Sequence, residues 1–315
     1  MVLDIPCKED FFNMGDSLLN SAWDNLITLL KDYSEYISVG CKDEFEEVFF
    51  LHAKPKLMSS FTLVQQAVEF YLKGKIADVS PYILISNDSR NWPKNGDKSD
   101  INFSDFRTID AQDLVKIHNT FSENRLDEPF NVWFNKMRNI RNKIMHSVSS
   151  KDFIEPAHLA EAILTAHSHF FGANQWIKSR FIFHLTSPSN QVAFMSESEK
   201  EGYRYFDIHE EISIAVQALK PSSVKSFFGF NKKSKAMECN FCEAHFENIE
   251  FYDHGRWRTH LINTLVQSEL RKTLYTCFIC ENILNVFDAQ CVECRDTKIN
   301  VEDGYCVRCK NDYRE

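Results

Sequence analysis

The sequence predicts a mainly α protein, an antiparallel bundle of four to five helices followed by a small, cysteine-rich α+β domain. Three observations carry this reading. Long segments before residue 180 repeat apolar residues at three- and four-residue steps, the period of a helix with one buried stripe. No stretch there alternates convincingly as a strand. Eight of the ten cysteines fall after residue 238, all of them in four C-x-x-C pairs. The 315 residues suffice for two domains with separate cores. The expected division is 1–187 for the bundle, 188–235 for a linker or helical extension, and 236–315 for the cysteine-rich part.

Taken in order, Leu19, Ala22, Leu26, Leu29, Leu30, Tyr33 and Ile37 keep helical spacing, and Gly40 ends that first helix. A second runs from about Lys56 to Ala77, with Phe61, Val64, Val68, Tyr71, Leu72 and Ile76 inward; on it Glu69 and Lys73 form an i, i+4 pair of favourable order. Pro81–Ile85 is too short for a helix, and the polar run after it, with Pro93 and Gly96, is a loop. A short helix is expected over Ala111–Phe121. The central helix carries Trp133, Met137, Ile140 and Ile144 as its buried stripe and ends at Ser147, Ser149 and Ser150. Pro156 opens the next, at a favoured place for proline, with Leu159, Ile163, Ala166 and Phe170 on one stripe. Beyond it, SPSNQ and SESEKEG read as linker, and Phe206–Leu219 as one more helix. The tract KPSSVKSFFGFNKKSK has the basic and aromatic residues that contact nucleic acid, but reads more simply as a linker whose phenylalanines pack on a neighbouring domain.

Composition narrows the class. With 43% hydrophobic and 26% charged residues the chain is globular. The net charge of −9 excludes a protein that coats nucleic acid over its whole surface, so any such site must be local. The N-terminus is acidic where a signal peptide is basic, and no run of about 18 apolar residues forms a membrane span. A cytoplasmic protein with no membrane partner is therefore expected. In a reducing compartment, clustered C-x-x-C pairs are thiolate metal ligands rather than disulfides. Cys7 and Cys41 stand apart and read as buried small hydrophobes.

On the central helix, Arg138, Asn142 and His146 form a second stripe facing away from the core, with Arg141 on the flank between the two. A solvated basic face is the plain reading. The order Arg141, Asn142, three residues, His146 (RNKIMH) nevertheless resembles the signature of HEPN domains. The segment LVQQAVEFYLKGKIADVSPYILI is similar to the second helix of that family, so the resemblance spans roughly residues 10 to 180. It implies an up-and-down bundle whose third long helix ends in the motif, and a metal-independent endoribonuclease acting as a homodimer, commonly a toxin or antiviral-defence effector. Arg141, Asn142 and His146 would be catalytic, with Arg138 and Glu69 in support; a surface salt bridge to Lys73 is the simpler role for Glu69. The chemistry suits the residues. RNA carries its own nucleophile, the 2′-hydroxyl; a histidine moves protons near neutral pH, and a guanidinium neutralises charge on phosphoryl oxygens. One imidazole does not readily perform both proton transfers, which favours two motifs meeting across a shared cleft. An inhibitory or regulatory protein partner is expected for such an activity.

Cys291-x-x-Cys294 and Cys306-x-x-Cys309, eleven residues apart, have the spacing of a zinc ribbon. Cys239-x-x-Cys242 and Cys277-x-x-Cys280 flank a helix-like insertion, WRTHLINTLVQSELRKTLY, and most simply close a second site. In other arrangements His254 and His260 complete the first knuckle, or the pairs interleave in a cross-brace; sequential pairing leaves no ligand pair unused. All-thiolate ligation leaves no open position for water, so two structural zinc ions and no catalytic metal are expected. Arg256, Trp257, Arg258, Arg271 and Lys272 in the insertion suit RNA or a protein partner. A non-catalytic HEPN and zinc-ribbon binding module is the second reading of the whole chain. No H-E-x-x-H supports a zinc hydrolase.

Overall fold

The computed structural model describes residues 1–38, 44–86, 88–94, 98–146, 154–188, 195–232, 236–237, 239–246, 249, 265–267, 273–288, 291–293, 298–300 and 306. The protein is mainly helical and divides into two compact units, Met1–Phe170 and Phe171–Glu315. Among the described residues no helix is long and apolar enough to cross a membrane.

In the first unit α1 (Lys8–Ser38) and α2 (Glu44–Val79) lie side by side. Lys8 pairs with Asp78 at 2.8 Å, Phe12 packs on Tyr71, and Tyr33 on Phe50, so partner numbers fall on α2 as they rise on α1 and the pair is antiparallel. Gly15 allows the close approach: a Cβ there would stand 2.5 Å from the Tyr71 ring. That ring is held by a 2.6 Å hydrogen bond from its hydroxyl to Asp16 and by Phe170 at 4.9 Å. Burial raises the Asp16 carboxyl above its ordinary range, an effect the Tyr71 bond partly offsets. α2 begins well before the expected Lys56 and carries Pro55 in its interior. An interior proline costs about 3 kcal/mol; here Phe49 and Phe50, packed at a tilt against Tyr33, give the early turns something to bury.

Pro81–Leu84 and Ala111–Asp113 form single 3₁₀ turns, the latter leading into α3 (Leu114–Phe121) where a helix is expected. One departure from the all-helical expectation is a parallel pairing of β1 (Val2–Leu3) with β2 (Ile101–Asn102). α4 (Glu128–His146) and α5 (Pro156–Phe171) then run against each other, Phe130 meeting Phe170 and Trp133 meeting His169. The buried stripe of α4 is Phe130, Phe134 and Met137. It is rotated from the expected one: Trp133, Ile140 and Ile144 are half-buried instead.

In the second unit α6 (Trp176–Thr186), expected within the bundle, groups with the C-terminal half, and α7 (Glu197–Ala218) and α8 (Pro221–Phe228) make the 188–235 stretch a helical extension. The physical reason is a bidentate pair of Arg180 on α6 and Glu211 on α7, both almost fully buried, with His184 beside them. SESEKEG is the start of α7, not a spacer: Ser196 and Glu199 form a reciprocal capping box. The aromatic tract after α7 packs inward, with Phe228 and Phe230 buried and Phe230 stacked on Phe278 at 4.1 Å.

Five short strands form an antiparallel meander in chain order: β3 (Ala236–Met237), β4 (Leu265–Gln267), β5 (Leu274–Cys277), β6 (Ile283–Asp288) and β7 (Lys298–Asn300). The insertion expected to be helical is strand where it is described. Leu265 pairs with Cys277 and Gln267 with Tyr275, because backbone donors beside a strand edge are satisfied by pairing with it. His254, Arg256, Trp257, Arg258, His260, Arg271 and Lys272 lie outside the described residues. A second correction concerns Cys7, which is exposed at the start of α1, its backbone N–H donating to Asp10 rather than its thiol packing in a core. Cys41 is outside the described residues.

Candidate functional site

The RNKIMH motif occupies the last turns of α4, with His146 as the final helical residue. Asn142 and His146 are exposed; Arg138 and Arg141 are half-buried. Four residues separate Asn142 from His146, so they lie about 40° apart on the helix, whereas Arg141 and His146 are about 140° apart. Arg141 therefore turns toward the core side. Among the described residues its buried Nε has no hydrogen-bond partner, while Nη1 donates to Asn142 Oδ1 at 3.3 Å. Arg138 donates to Asn135 at 3.2 Å and lies over the Phe134 ring. The motif thus joins Arg141 to Asn142 by a hydrogen bond, while His146 shares the face of Asn142 and lies well round the helix from Arg141.

Glu69 is half-buried on α2 and accepts a hydrogen bond from Gln65. Lys73 donates instead to Thr108 at 3.3 Å, so the i, i+4 salt bridge expected between the two is not formed. Glu69 lies in the stretch of α2 next to Tyr71, which shares Phe170 with Phe130. Phe130 is eleven residues before Arg141, about 16 Å along α4. A groove of about 540 Å³ that periodicity did not reveal is lined by residues of α4 and α5 together with Phe61 of α2, and Arg141 is not among its lining residues. Trp133, Ile140, Ile144 and Ile154 form its floor, with Lys143 and His158 at its edge.

The cysteine centre is the best-defined constellation of the second unit. Cys239 precedes α9 (Asn240–Phe246), and Cys242 sits in its first turn. Cys277 ends β5 and Cys280 closes the following turn, where Glu281 adopts a left-handed backbone and Cys277 N–H donates to Asn282 O. The four sulfurs lie within 4.8 Å of one another, with Cys239–Cys280 and Cys242–Cys277 both at 3.7 Å. Packed this tightly the thiols share protons, and hydrogen bonds from Cys239, Cys242 and Cys277 hold Cys280 far below the ordinary thiol range. Asn282 Nδ2 adds a further donor to the same sulfur at 3.3 Å.

These residues fit a metal ion. Tetrahedral zinc with Zn–S bonds of about 2.3 Å places its sulfurs about 3.8 Å apart. The sequential pairing of the two knuckles is the one the geometry assembles. Of the second expected site, Cys291 and Cys306 are fully buried, and Cys294 and Cys309 lie outside the described residues.

α7 supplies what sequence reasoning missed around this centre. At Gly202 an added Cβ would come within 2.6 Å of the His245 carbonyl, so α7 lies directly on α9. Tyr205 stacks on His245 at 4.0 Å, and burial pushes its phenol up to about 12, with the charges of Cys280, Cys242 and Cys277 adding. His209, one turn on, is fully buried 5.2 Å from Phe246; burial lowers it to about 3. The S-x-x-E signature at Ser196 could have located this helix.

Compared with known proteins, the chain matches no family model, no curated protein and no solved structure.

Proposed function

We propose that the chain is a metal-independent endoribonuclease of HEPN type, acting as a homodimer, with zinc as the structural ion of its cysteine centres. One observation carries the proposal: a guanidinium, an amide and an imidazole follow one another in the last turns of the third long helix, with Arg141 hydrogen-bonded to Asn142 and His146 on the face of Asn142. His146 is the proton-transfer group, taking the 2′-hydroxyl proton or returning one to the 5′-oxygen. The 2′-oxygen attacks the adjacent phosphorus, the bond from phosphorus to the 5′-oxygen breaks, and a 2′,3′-cyclic phosphate results. Arg141 neutralises the phosphoryl oxygens through the terminal nitrogens of its guanidinium. Because Arg141 and His146 diverge on one helix, a second copy is needed to complete the set of proton donors and acceptors around a single phosphate. Arg138 lies on the same outward side as a further cation. Glu69, which accepts a hydrogen bond from Gln65 on α2, is given no step.

The thiolate centre would contribute no step. A zinc ion there closes the fold of α9 and the β5–β6 turn, and all four positions are filled by sulfur.

The test is cleavage of single-stranded RNA by full-length protein without added divalent metal. The expected products end in 2′,3′-cyclic phosphate, and a 2′-deoxy residue at the scissile position blocks the reaction. His146→Ala should lower the rate by roughly 10²–10⁴-fold. RNA binding with no cleavage, and no effect of His146→Ala, would replace this reading with a non-catalytic RNA-binding module.

A further inference from the structure

The groove beside α4 has the make-up of a binding site. Its 540 Å³ lies within the range of small-ligand pockets, about 300–1,000 Å³. Trp133, Ile140 and Ile144 are only half-buried in it, so apolar surface stays in contact with water. Trp133 is held in place by Phe130 at 5.8 Å and His169 at 5.4 Å. From α5, Glu161 and Thr165, one turn apart, add a carboxylate and a hydroxyl to the lining.

Charge says what enters. After Glu128, α4 carries Lys136, Arg138, Arg141 and Lys143 and no acidic residue, in a chain of net charge −9. Lys136 and Lys143 are exposed residues of the groove lining, seven positions apart, so they stand in one line about 10 Å apart along the helix. Met137, Ile140, Lys143 and His146 follow at three-residue steps. Each step turns about 60° the same way round the helix and rises about 4.5 Å. The ridge leads from the groove lining over a cation to the imidazole, a span that one or two nucleotides of an extended strand can cover. An anionic chain with flat apolar side groups fits this order, with a phosphate on the lysine and a base in the groove. A second copy docked symmetrically would instead bring a like-charged edge against this one.

We infer that this groove is a base-binding subsite for single-stranded RNA, taking the nucleobase next to the scissile phosphate. The inference deepens the ribonuclease proposal and rests on it. Trp133, Ile140 and Ile144 offer the apolar surface on which a base stacks. Lys143, one turn before His146, holds the phosphate between base and imidazole, and Lys136 the next one along. Glu161 accepts from the N–H groups of the base edge, and Thr165 adds a second hydrogen bond to it. A duplex keeps its bases paired and stacked and presents none to the groove, so the substrate class is single-stranded.

The experiment uses the full-length chain and a single-stranded RNA methylated at every 2′-oxygen but one, so that a single phosphate can be cut. Two further strands carry an abasic ribose on one or the other side of that phosphate. Wild-type protein should cut one of the abasic strands with kcat/KM lower by roughly 5–150-fold, the worth of one stacked base. Ile140→Trp, which fills the groove from its floor, should cut the intact strand about as slowly as wild type cuts that abasic one, and should no longer tell the two apart. Equal cleavage of all three strands by wild type overturns the inference and leaves the ribonuclease reading standing. So does discrimination retained by folded Ile140→Trp; if that variant also loses self-association, the groove belongs to a second copy. If wild type cuts nothing, the ribonuclease reading falls and binding decides this one. The methyl signals of Ile140, Ile144 and Ile154 in wild-type protein should then shift with the intact strand and not with the abasic one. Methyl signals that do not move with the intact strand sink the inference, and that measurement needs no variant.

Discussion

Arg141 is poised between two demands. Its stem leaves α4 on the core side, yet among the described residues Nε lacks a partner and Nη1 donates to Asn142 alone. A lysine keeps the charge but cannot offer a planar fork to a phosphate. Arg141→Lys should therefore lower RNA cleavage by at least about tenfold with little change in denaturation midpoint; full retention of activity would exclude a bidentate phosphate contact. His167 in α5 makes a different kind of statement. It is buried, and desolvation lowers it from 6.5 to about 4. A histidine whose folded pKa is depressed gives up a proton on folding, so stability is fully present above pH 6.5 and is lost as pH falls toward 4. The slope is about 1.4 kcal/mol per pH unit for one such group. Urea midpoints of wild type and His167→Met, compared at pH 7 and pH 4.5, should show roughly 2–3 kcal/mol less acid sensitivity in the variant. Equal sensitivity would mean that His167 is protonated without cost.

At the scale of the element, α7 shows how close approach depends on one missing side chain. Gly202 costs helix stability of about 0.5–1 kcal/mol relative to alanine, so Gly202→Ala should help an isolated helix. Here its Cβ would meet a backbone carbonyl at 2.6 Å, which cannot rotate away. The expected outcome is a net loss of about 1–2 kcal/mol, together with weaker metal retention, because α9 carries Cys242. Thermal denaturation and competition with a chelator check both; a stabilised variant would show that α7 and α9 do not pack this closely. The helical period of α7 was legible from Phe206 onward, but its first turns are polar and read as linker. The capping box at Ser196 was the stronger signal, since it states where a helix begins without needing apolar residues.

At the scale of the whole molecule, each unit has its own means of staying folded. The first buries long helices, with Trp23, Tyr71, Phe130 and Phe134 nearly inaccessible. The second sets short strands, the short α9 and the longer α7 about four cysteines, and a metal would contribute directly to its folding. Purified protein should hold about two zinc ions per chain if both expected sites fill. Chelation should remove amide protection from β5, β6 and α9 and leave α1, α2, α4 and α5 protected. Protection of the cysteine region that survives complete metal removal would show that its fold stands without the ion.

The sequence by itself determined what depends on spacing along the chain. The long helices follow from apolar period, and the four ligands follow from C-x-x-C, because both a helix turn and a metal knuckle are local geometries. RNKIMH was readable in the same way, down to its place at a helix end. Only the tertiary structure decided which stripe of α4 is buried, since Phe130 and Trp133 are both apolar and the neighbouring α5 selects between them. It also decided that Glu69 turns to Gln65 rather than Lys73, and that Arg180 and Glu211 lock α6 to α7. The strand at Leu265–Gln267 had a helical period in the chain and became a strand because β5 offers it an edge. Tyr205 and His209 pack on α9, the helix that carries Cys242, from a segment tens of residues away, a contact between helices that no spacing in the chain records.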